Sequence, residues 1–264
     1  MIDMKQIVQE GWKIIRYNKG DKTTEEEIIA TEYPLTVYVN DEEFATLVCT
    51  PTNIEELVIG FLASEGFIRF YDEVKEITVD KDRGFAYVTL NKELEQDRHA
   101  SSKRFIGSCC GKSRQFYFQS DVMTAKTVTS KLTIPAENCL ALMEALQSKS
   151  NAFQKTGGVH NAALCTIDEL LTIRTDIGRH NALDKIYGYI LKEKIPLSDK
   201  VIAFSGRISS EVLLKISKMG IGIIISKSAP TDLALNLAED LGITAIGFAR
   251  RNTMNVYTHH ERII

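Results

Sequence analysis

The chain has 264 residues, 44% hydrophobic and 25% charged, with a formal net charge of −3 and a pI near 6.0. This balance excludes a disordered chain, and the mild acidity argues against nucleic acid as a partner, which needs a basic face. No run of about 18 apolar residues occurs, so no membrane-spanning helix is expected. The charged, alternating start Met1–Glu10 lacks a secretory apolar region, so the expected location is the cytoplasm.

Residues 1–30 are polar and weakly patterned, and are expected to wrap the domain or supply an edge strand. From Thr31 the pattern becomes a hairpin. Leu35, Val37 and Val39 alternate with Thr36 and Tyr38, Asn40-Asp41 supplies a turn, and Phe44–Cys49 forms the second strand. Asn53 is placed to cap a helix, with Glu56 as its capping-box partner. Ile54, Leu57, Val58, Phe61 and Leu62 then share one helical face, and Gly66 marks the stop. Strands are expected near Val74–Val79 and Phe85–Leu90, with Gly84 ending the turn between them. Beyond a charged stretch over 91–108, a helix spans about Ala136–Gln147, with Pro135 at its start.

The last third reads as alternating strands and helices. Val201–Phe204, Ile221–Ile225 and Ile243–Phe248 are short apolar strands, with a possible fourth at Asn255–Thr258. Ile208–Met219 and Thr231–Leu241 are helices closed by Gly220 and Gly242. Unbroken apolar strands imply an α/β fold whose sheet is at least partly parallel and covered on both faces. A junction near residue 125 would divide the chain into an N-terminal α+β part, 1–125, and a C-terminal part, 126–264.

In open α/β sheets ligands collect beyond the carboxyl ends of the strands. Three loops fall there: Ser205-Gly206-Arg207, Ser226-Lys227-Ser228-Ala229-Pro230-Thr231, and Ala249-Arg250-Arg251-Asn252-Thr253. Each joins small or hydroxyl-bearing residues to a cation, and the first two lead into helices, a combination suited to a diphosphate or nucleotide. Capping and solvated charge is the plainer reading of any one loop. Neither a Walker A loop nor a dinucleotide fingerprint is present. Two stretches, Thr156–Ala163 and Asp176–Lys185, each carry Gly, then a His-Asn-Ala step, then a helical pattern. His160 and His180 are therefore candidates for ligand contact or proton transfer, against a purely structural role. Asp176 is placed to orient His180 or to pair with Arg179. His99, His259 and His260 read as surface residues.

Five cysteines, odd in number and irregularly spaced, argue against a secreted disulfide framework. Cys49, Cys139 and Cys165 lie in apolar surroundings and read as core thiols. Cys109-Cys110 differs: it lies between Ser108 and Gly111, flanked by Lys103, Arg104, Lys112 and Arg114. Nearby positive charge favours the thiolate. Zinc needs about four regularly spaced ligands, which one adjacent pair does not supply, so no metal is expected. A redox or sulfur-carrying role and an unremarkable turn both remain open on the residues alone.

Several stretches, in order, resemble the FdhD/NarQ family of formate dehydrogenase accessory sulfur carriers: Thr50-Pro51 with 55–66, 108–112, Gly157-Gly158-Val159-His160, 176–182, 205–209, 226–231 and 247–250. The resemblance implies a cytidine-deaminase-like C-terminal domain, a mixed sheet flanked by helices, with a smaller N-terminal portion. The deaminase zinc signature is absent, so deamination is not implied. It implies a sulfurtransferase that takes persulfide sulfur from a cysteine desulfurase. The acceptor would be the molybdenum bis-guanine-dinucleotide cofactor, with GDP as a mimic, before insertion into formate dehydrogenase. The matching stretch Phe248, Ala249, Arg250, Arg251, Asn252 and Thr253 would contact that cofactor, with Arg207 and Ser228 helping to grip phosphate. Many members carry Cys-x-x-Cys, and this chain lacks the spacer. Because Gly111-Lys112 follows Cys110, Cys110 is assigned as the carrier and Cys109 as its helper, with the reverse alignment open. A homodimer is the expected assembly. A non-catalytic chaperone for the cofactor or the immature dehydrogenase is the alternative, and a nucleotide-modifying enzyme on a deaminase-like scaffold the third reading.

Overall fold

The computed structural model describes residues 4–91, 104–106 and 125–264, and groups their strands into three sheets. After a short helix α1 (Met4–Ile7), β1 (Val8–Asn18) and β2 (Asp21–Ala30) pair as an antiparallel ribbon. The polar N-terminal segment is thus a hairpin of its own rather than a wrap or a strand on a larger sheet. It turns at Lys19-Gly20, both with positive φ. Most of its residues face solvent, which is why burial left no period in the sequence.

The second sheet has the order β5-β6-β3-β4-β7, from β3 (Tyr33–Val39), β4 (Glu42–Cys49), β5 (Val74–Asp80), β6 (Phe85–Leu90) and β7 (Arg104–Ile106). Leu35, Val37 and Val39 are buried, as their alternation requires. Helix α2 (Ile54–Ser64) follows β4 and is apolar around nearly its whole circumference, the composition of an internal helix. Its start departs from the expected capping box. Asn53 adopts a left-handed conformation, φ 52°, and its side chain makes no cap hydrogen bond. Glu56 turns away and pairs with Arg174, 118 residues distant, whose Nη2 donates to Glu56 Oε1 at 2.7 Å.

The third sheet has the order β13-β12-β11-β10-β8-β9. Its strands are β8 (His160–Cys165), β9 (Leu170–Asp176), β10 (Val201–Phe204), β11 (Ile223–Ser226), β12 (Thr244–Arg250) and β13 (Thr253–Val256). β10, β11 and β12 are parallel, and β8 and β13 flank them antiparallel. The helices are α3 (Ala136–Ser148), α4 (Asn151–Thr156), α5 (Arg179–Lys192), α6 (Ser210–Met219) and α7 (Asp232–Leu241). This is the mixed, helix-flanked sheet expected of the C-terminal part. One face, with Ala163, Val201, Ala203, Ile223 and Ile225, packs on Cys139, Leu142, Met143 and Leu146 of α3. The other, with Ala162, Leu164, Ile202, Phe204 and Ile224, packs on α5 and α6 and continues into Leu57 and Val58 of α2. Gly220 and Gly242 close α6 and α7 in the left-handed conformation, as read from sequence.

Further details differ from the sequence reading, and the last strand, expected at Asn255–Thr258, is Thr253–Val256. The residues after His160 form strand β8, not a helix. α6 begins at Ser210 because Ser209 is its cap, its Oγ accepting from Val212 N at 3.4 Å. The strand expected at Ile221 starts at Ile223. The junction expected near residue 125 adjoins a stretch outside the described residues.

α2 crosses α5 with backbone against backbone. A Cβ on Gly60 would stand 1.8 Å from the Asp184 carbonyl oxygen, and one on Gly188 1.8 Å from that of Glu56. Beside the crossing, the buried Asp184 Oδ1 accepts from Ser64 Oγ and Lys215 Nζ, both at 2.6 Å. α2 is thereby locked to α5, the helix that opens the candidate site.

Candidate functional site

β9 to β12 run in one direction and β8 and β13 in the other. The carboxyl ends of the first set and the starts of the second therefore share one edge of the sheet. The three expected loops all lie there.

At one end of this edge Arg250, Arg251 and Thr253 line a cavity of about 440 Å³. A bulge in β12 between Gly247 and Arg250 re-aims the chain, with Phe248 at φ 52° and Arg251 at φ 54°. The Arg250 guanidinium lies 5.7 Å from the Phe248 ring centroid. Hydrogen bonds tie the loops together. Phe248 N donates to Ser228 O at 3.2 Å, Ser228 Oγ to Ser205 O at 3.0 Å, and Ser226 Oγ to Gly206 O at 2.7 Å. The Ser228 hydroxyl proton is thus engaged in joining two loops. Arg207, Arg250, Arg251 and Asn252 are exposed, whereas the Ala249 side chain is buried in the core, so this residue offers the edge only its backbone.

At the other end, His160 opens β8 and Arg179 and His180 open α5. Asn161 N donates to Ser205 Oγ at 2.8 Å, which seats the His160 strand beside the first loop. A Cβ on Gly206 would approach Arg179 Cβ to 3.4 Å. His180 Nε2 stands 3.0 Å from Glu211 Oε2, on the first turn of α6. That contact holds the Glu211 carboxyl below its usual range despite partial burial. Burial depresses the proton affinity of His160 most, and Arg179 depresses it further; Asp176 opposes them, and His180 adds the least.

Asp176 does not orient His180 or pair with Arg179. It is wholly buried, with Oδ2 2.7 Å from Lys185 Nζ. It also accepts from Thr50 N at 3.0 Å, Gly178 N at 2.8 Å and Asn181 Nδ2 at 3.0 Å. Lys185 Nζ donates further to the carbonyls of Thr50 and Thr175. The carboxyl end of β4 is thereby fastened to the start of α5. Sequence reasoning missed Lys185, Thr50, Glu211 and Ser226. Of these, only Glu211 lay outside the stretches already singled out.

Cys49, Cys139 and Cys165 are fully buried, and burial pushes each thiol up to about 12. Cys109 and Cys110 lie outside the described residues, as do His99, Lys103, Lys112 and Arg114. His260 is exposed, and His259 is partly covered, with Nε2 3.1 Å from Glu239 O. Among the described residues no group of three or more His, Cys, Asp or Glu side chains is arranged to hold a metal, and no helix is long and apolar enough to cross a membrane.

The FdhD/NarQ family profile matches residues 30–264, which include every described part of this edge. The chain belongs to the FdhD/NarQ family. Its FdhD/NarQ relatives include the sulfur carrier protein FdhD of Bacillus licheniformis, 60% identical over 95% of both chains. That of Bacillus subtilis is 58% identical over 100% of this chain and 99% of its own. The crystal structure of a protein described as a formate dehydrogenase accessory protein from Desulfotalea psychrophila is similar at a TM-score of 0.81. It is 25% identical, over 98% of this chain and 100% of that one. The FdhD/NarQ resemblance in sequence thus extends to the whole architecture.

Proposed function

We propose that this chain is a sulfur carrier in formate dehydrogenase maturation. Cys110, with Cys109 as helper, takes sulfur from a cysteine desulfurase and passes it to the molybdenum bis-guanine-dinucleotide cofactor. That cofactor is the substrate, lying across the C-terminal edge with phosphate gripped by Arg207, Arg250 and Arg251. A homodimer working in the cytoplasm completes the reading. Relatives with nearly the same length bear the name of sulfur carrier.

The observation that carries the proposal is the sealing of Cys49, Cys139 and Cys165. Thiols held near 12 present almost no thiolate at neutral pH, and the thiolate is the nucleophile. The carrier role therefore falls to the cation-flanked pair. β7 supports this, because it runs parallel to β4 and ends on the side of Thr50, three residues before Cys109 in sequence. In the loading step the Cys110 thiolate attacks the outer sulfur of the donor persulfide. A new S–S bond forms, the donor S–S bond breaks and the donor cysteine leaves as thiolate, with no net oxidation.

Incubation with a desulfurase and cysteine, followed by mass spectrometry, should show a persulfide adduct on the native protein and none on a Cys109→Ser, Cys110→Ser variant. Label persisting in the double variant removes the carrier role. A double variant that still matures the dehydrogenase indicates a chaperone instead. GDP titration by calorimetry tests the edge: Arg250→Gln with Arg251→Gln should weaken binding at least about tenfold, the loss of one or two charge-assisted contacts.

A further inference from the structure

The β1–β2 ribbon joins neither of the larger sheets. Its base is anchored, with Ile7, Val8, Ile28 and Ala30 packed on Ala152 and Val159. From Gly11 to Glu26 every residue is exposed except Ile14, which is partly covered. Trp12, Ile15 and Tyr17 are 53%, 53% and 72% exposed. Clustered exposed apolar side chains mark an interaction surface, and a lone two-stranded ribbon is marginal in water. The two faces of the ribbon differ. Residues directly opposite each other across the strands point the same way, so one face holds Trp12, Ile14 and Arg16 with Glu25 and Glu27. There Arg16 Nε donates to Glu25 Oε2 at 2.8 Å and Nη2 to Glu27 Oε1 at 3.3 Å, so that face satisfies its own charges. The other face reads, along the strands, Lys13 with Glu26, then Ile15 with Thr24, then Tyr17 with Lys22. Lys13, Lys22 and Glu26 form no ion pair among the described residues.

We infer that a second copy of this chain covers this face, the two ribbons stacking antiparallel about a twofold axis that passes between Ile15 and its copy. The face is complementary to itself in that arrangement, as an isologous contact requires. Ile15 meets the partner's Ile15, Tyr17 meets the partner's Lys13, and Lys22 meets the partner's Glu26. An ammonium is attracted to the face of a tyrosine ring, and the opposite charges set the register. The antiparallel sense stands the two bodies at opposite ends of the paired ribbons, whereas a parallel stack would crowd both at one end. The inference rests on the homodimer of the reading above and names the surface that makes it.

Sedimentation equilibrium of the full chain tests the pairing, with substitutions confined to exposed side chains that the core does not use. The native chain should sediment as a dimer, and Ile15→Lys as a monomer. Lys22→Glu and Glu26→Lys should each weaken the dimer at least about tenfold, because each sets like charges together. The variant carrying both exchanges restores opposite charges and should recover the native dissociation constant to within about threefold. A native chain that sediments as a monomer overturns the pairing and the homodimer alike. A dimer indifferent to these charges, or one that the double exchange fails to restore, overturns the ribbon contact and leaves the homodimer standing. Binding of a purified cysteine desulfurase to a monomeric native chain, lost in Ile15→Lys, would assign the face to that protein and overturn the pairing. Persulfide loading is measured separately in every case and speaks to the carrier function independently.

Discussion

Lys185 Nζ lies 2.7 Å from Asp176 Oδ2, and neither side chain has any exposure to solvent. Two charges removed from water persist together because every remaining valence is used. The carboxylate takes three further donors, and the ammonium reaches two backbone carbonyls. Thr50 contributes to both sides of the pair, so one buried centre holds the N-terminal sheet, strand β9 and helix α5 in fixed relation.

Removing one partner should therefore cost far more than a surface charge. Asp176→Ala would strand a buried ammonium and three N–H donors, and should lower the unfolding free energy by about 3–5 kcal/mol. Lys185→Met, which keeps the apolar stem, should cost a similar amount. Urea denaturation with an unchanged slope would confirm this. A loss no larger than a surface substitution would show that the pair is not closed to water.

The α2–α5 crossing predicts a contrast between glycines. Gly188→Ala places a methyl 1.8 Å from a backbone oxygen that cannot rotate away, so the helices must separate. The expected loss is about 3 kcal/mol or more. Gly157→Ala meets nothing within 4 Å and should cost only about 1 kcal/mol, the strain of its positive φ. Thermal melts of the two variants rank them directly. Equal losses would mean that the helices do not meet through their backbones.

What the sequence revealed and concealed follows from the range of each interaction. The alternation of Leu35, Val37 and Val39 and the caps at Gly220 and Gly242 are local, and each lies where expected. The apolar settings of Cys49, Cys139 and Cys165 also sufficed to place them in the core. The capping box at Asn53 was locally sound, but Glu56 is claimed by a distant Arg174 that no local pattern reveals. The shared Gly and His-Asn-Ala step suggested two matching loop-to-helix turns. Strand pairing with β9 and β10 decides otherwise for His160. Asp184, Lys185, Lys215 and Lys218 are all buried, against the usual habit of charged residues, because Asp184 pairs with Lys215, Lys218 donates to Ser64 O at the end of α2, and Lys185 is held by Asp176 and two carbonyls. At the candidate site, the three loops were legible because glycines, hydroxyls and cations cluster in short windows. Glu211 was not, because its relation to His180 exists only once α5 and α6 are packed.

The buried cysteines yield a prediction that needs no partner protein. With thiols near 12 and no exposure, Cys49, Cys139 and Cys165 should resist Ellman's reagent in the native protein. A Cys109→Ser, Cys110→Ser variant should therefore show essentially no fast-reacting thiol when folded and three after denaturation. Fast reaction of the folded variant would show a second reactive thiol and weaken the assignment of Cys110 as carrier.

The contact between His180 and Glu211 predicts a pH dependence with a definite sign. A carboxyl whose folded value is depressed contributes stability above its unfolded value, here near 4.5, and loses it as pH falls through the folded value. Glu211→Gln should therefore be less stable than the parent at about pH 5.5, with the difference shrinking as pH is lowered toward about 3. Its size should stay at about 1 kcal/mol or below, because the His180 and Glu211 side chains retain 22% and 34% of their exposure. The attraction also needs a protonated imidazole, so raising the pH until His180 loses its proton should erase it from the other side. His180→Gln should then remove the alkaline limb and shrink the acidic one, leaving only the smaller pull of Arg179 and Lys215 on Glu211. Urea midpoints of the parent and both variants across this range test the argument, and a difference that stays flat with pH would mean that the two side chains do not act on each other.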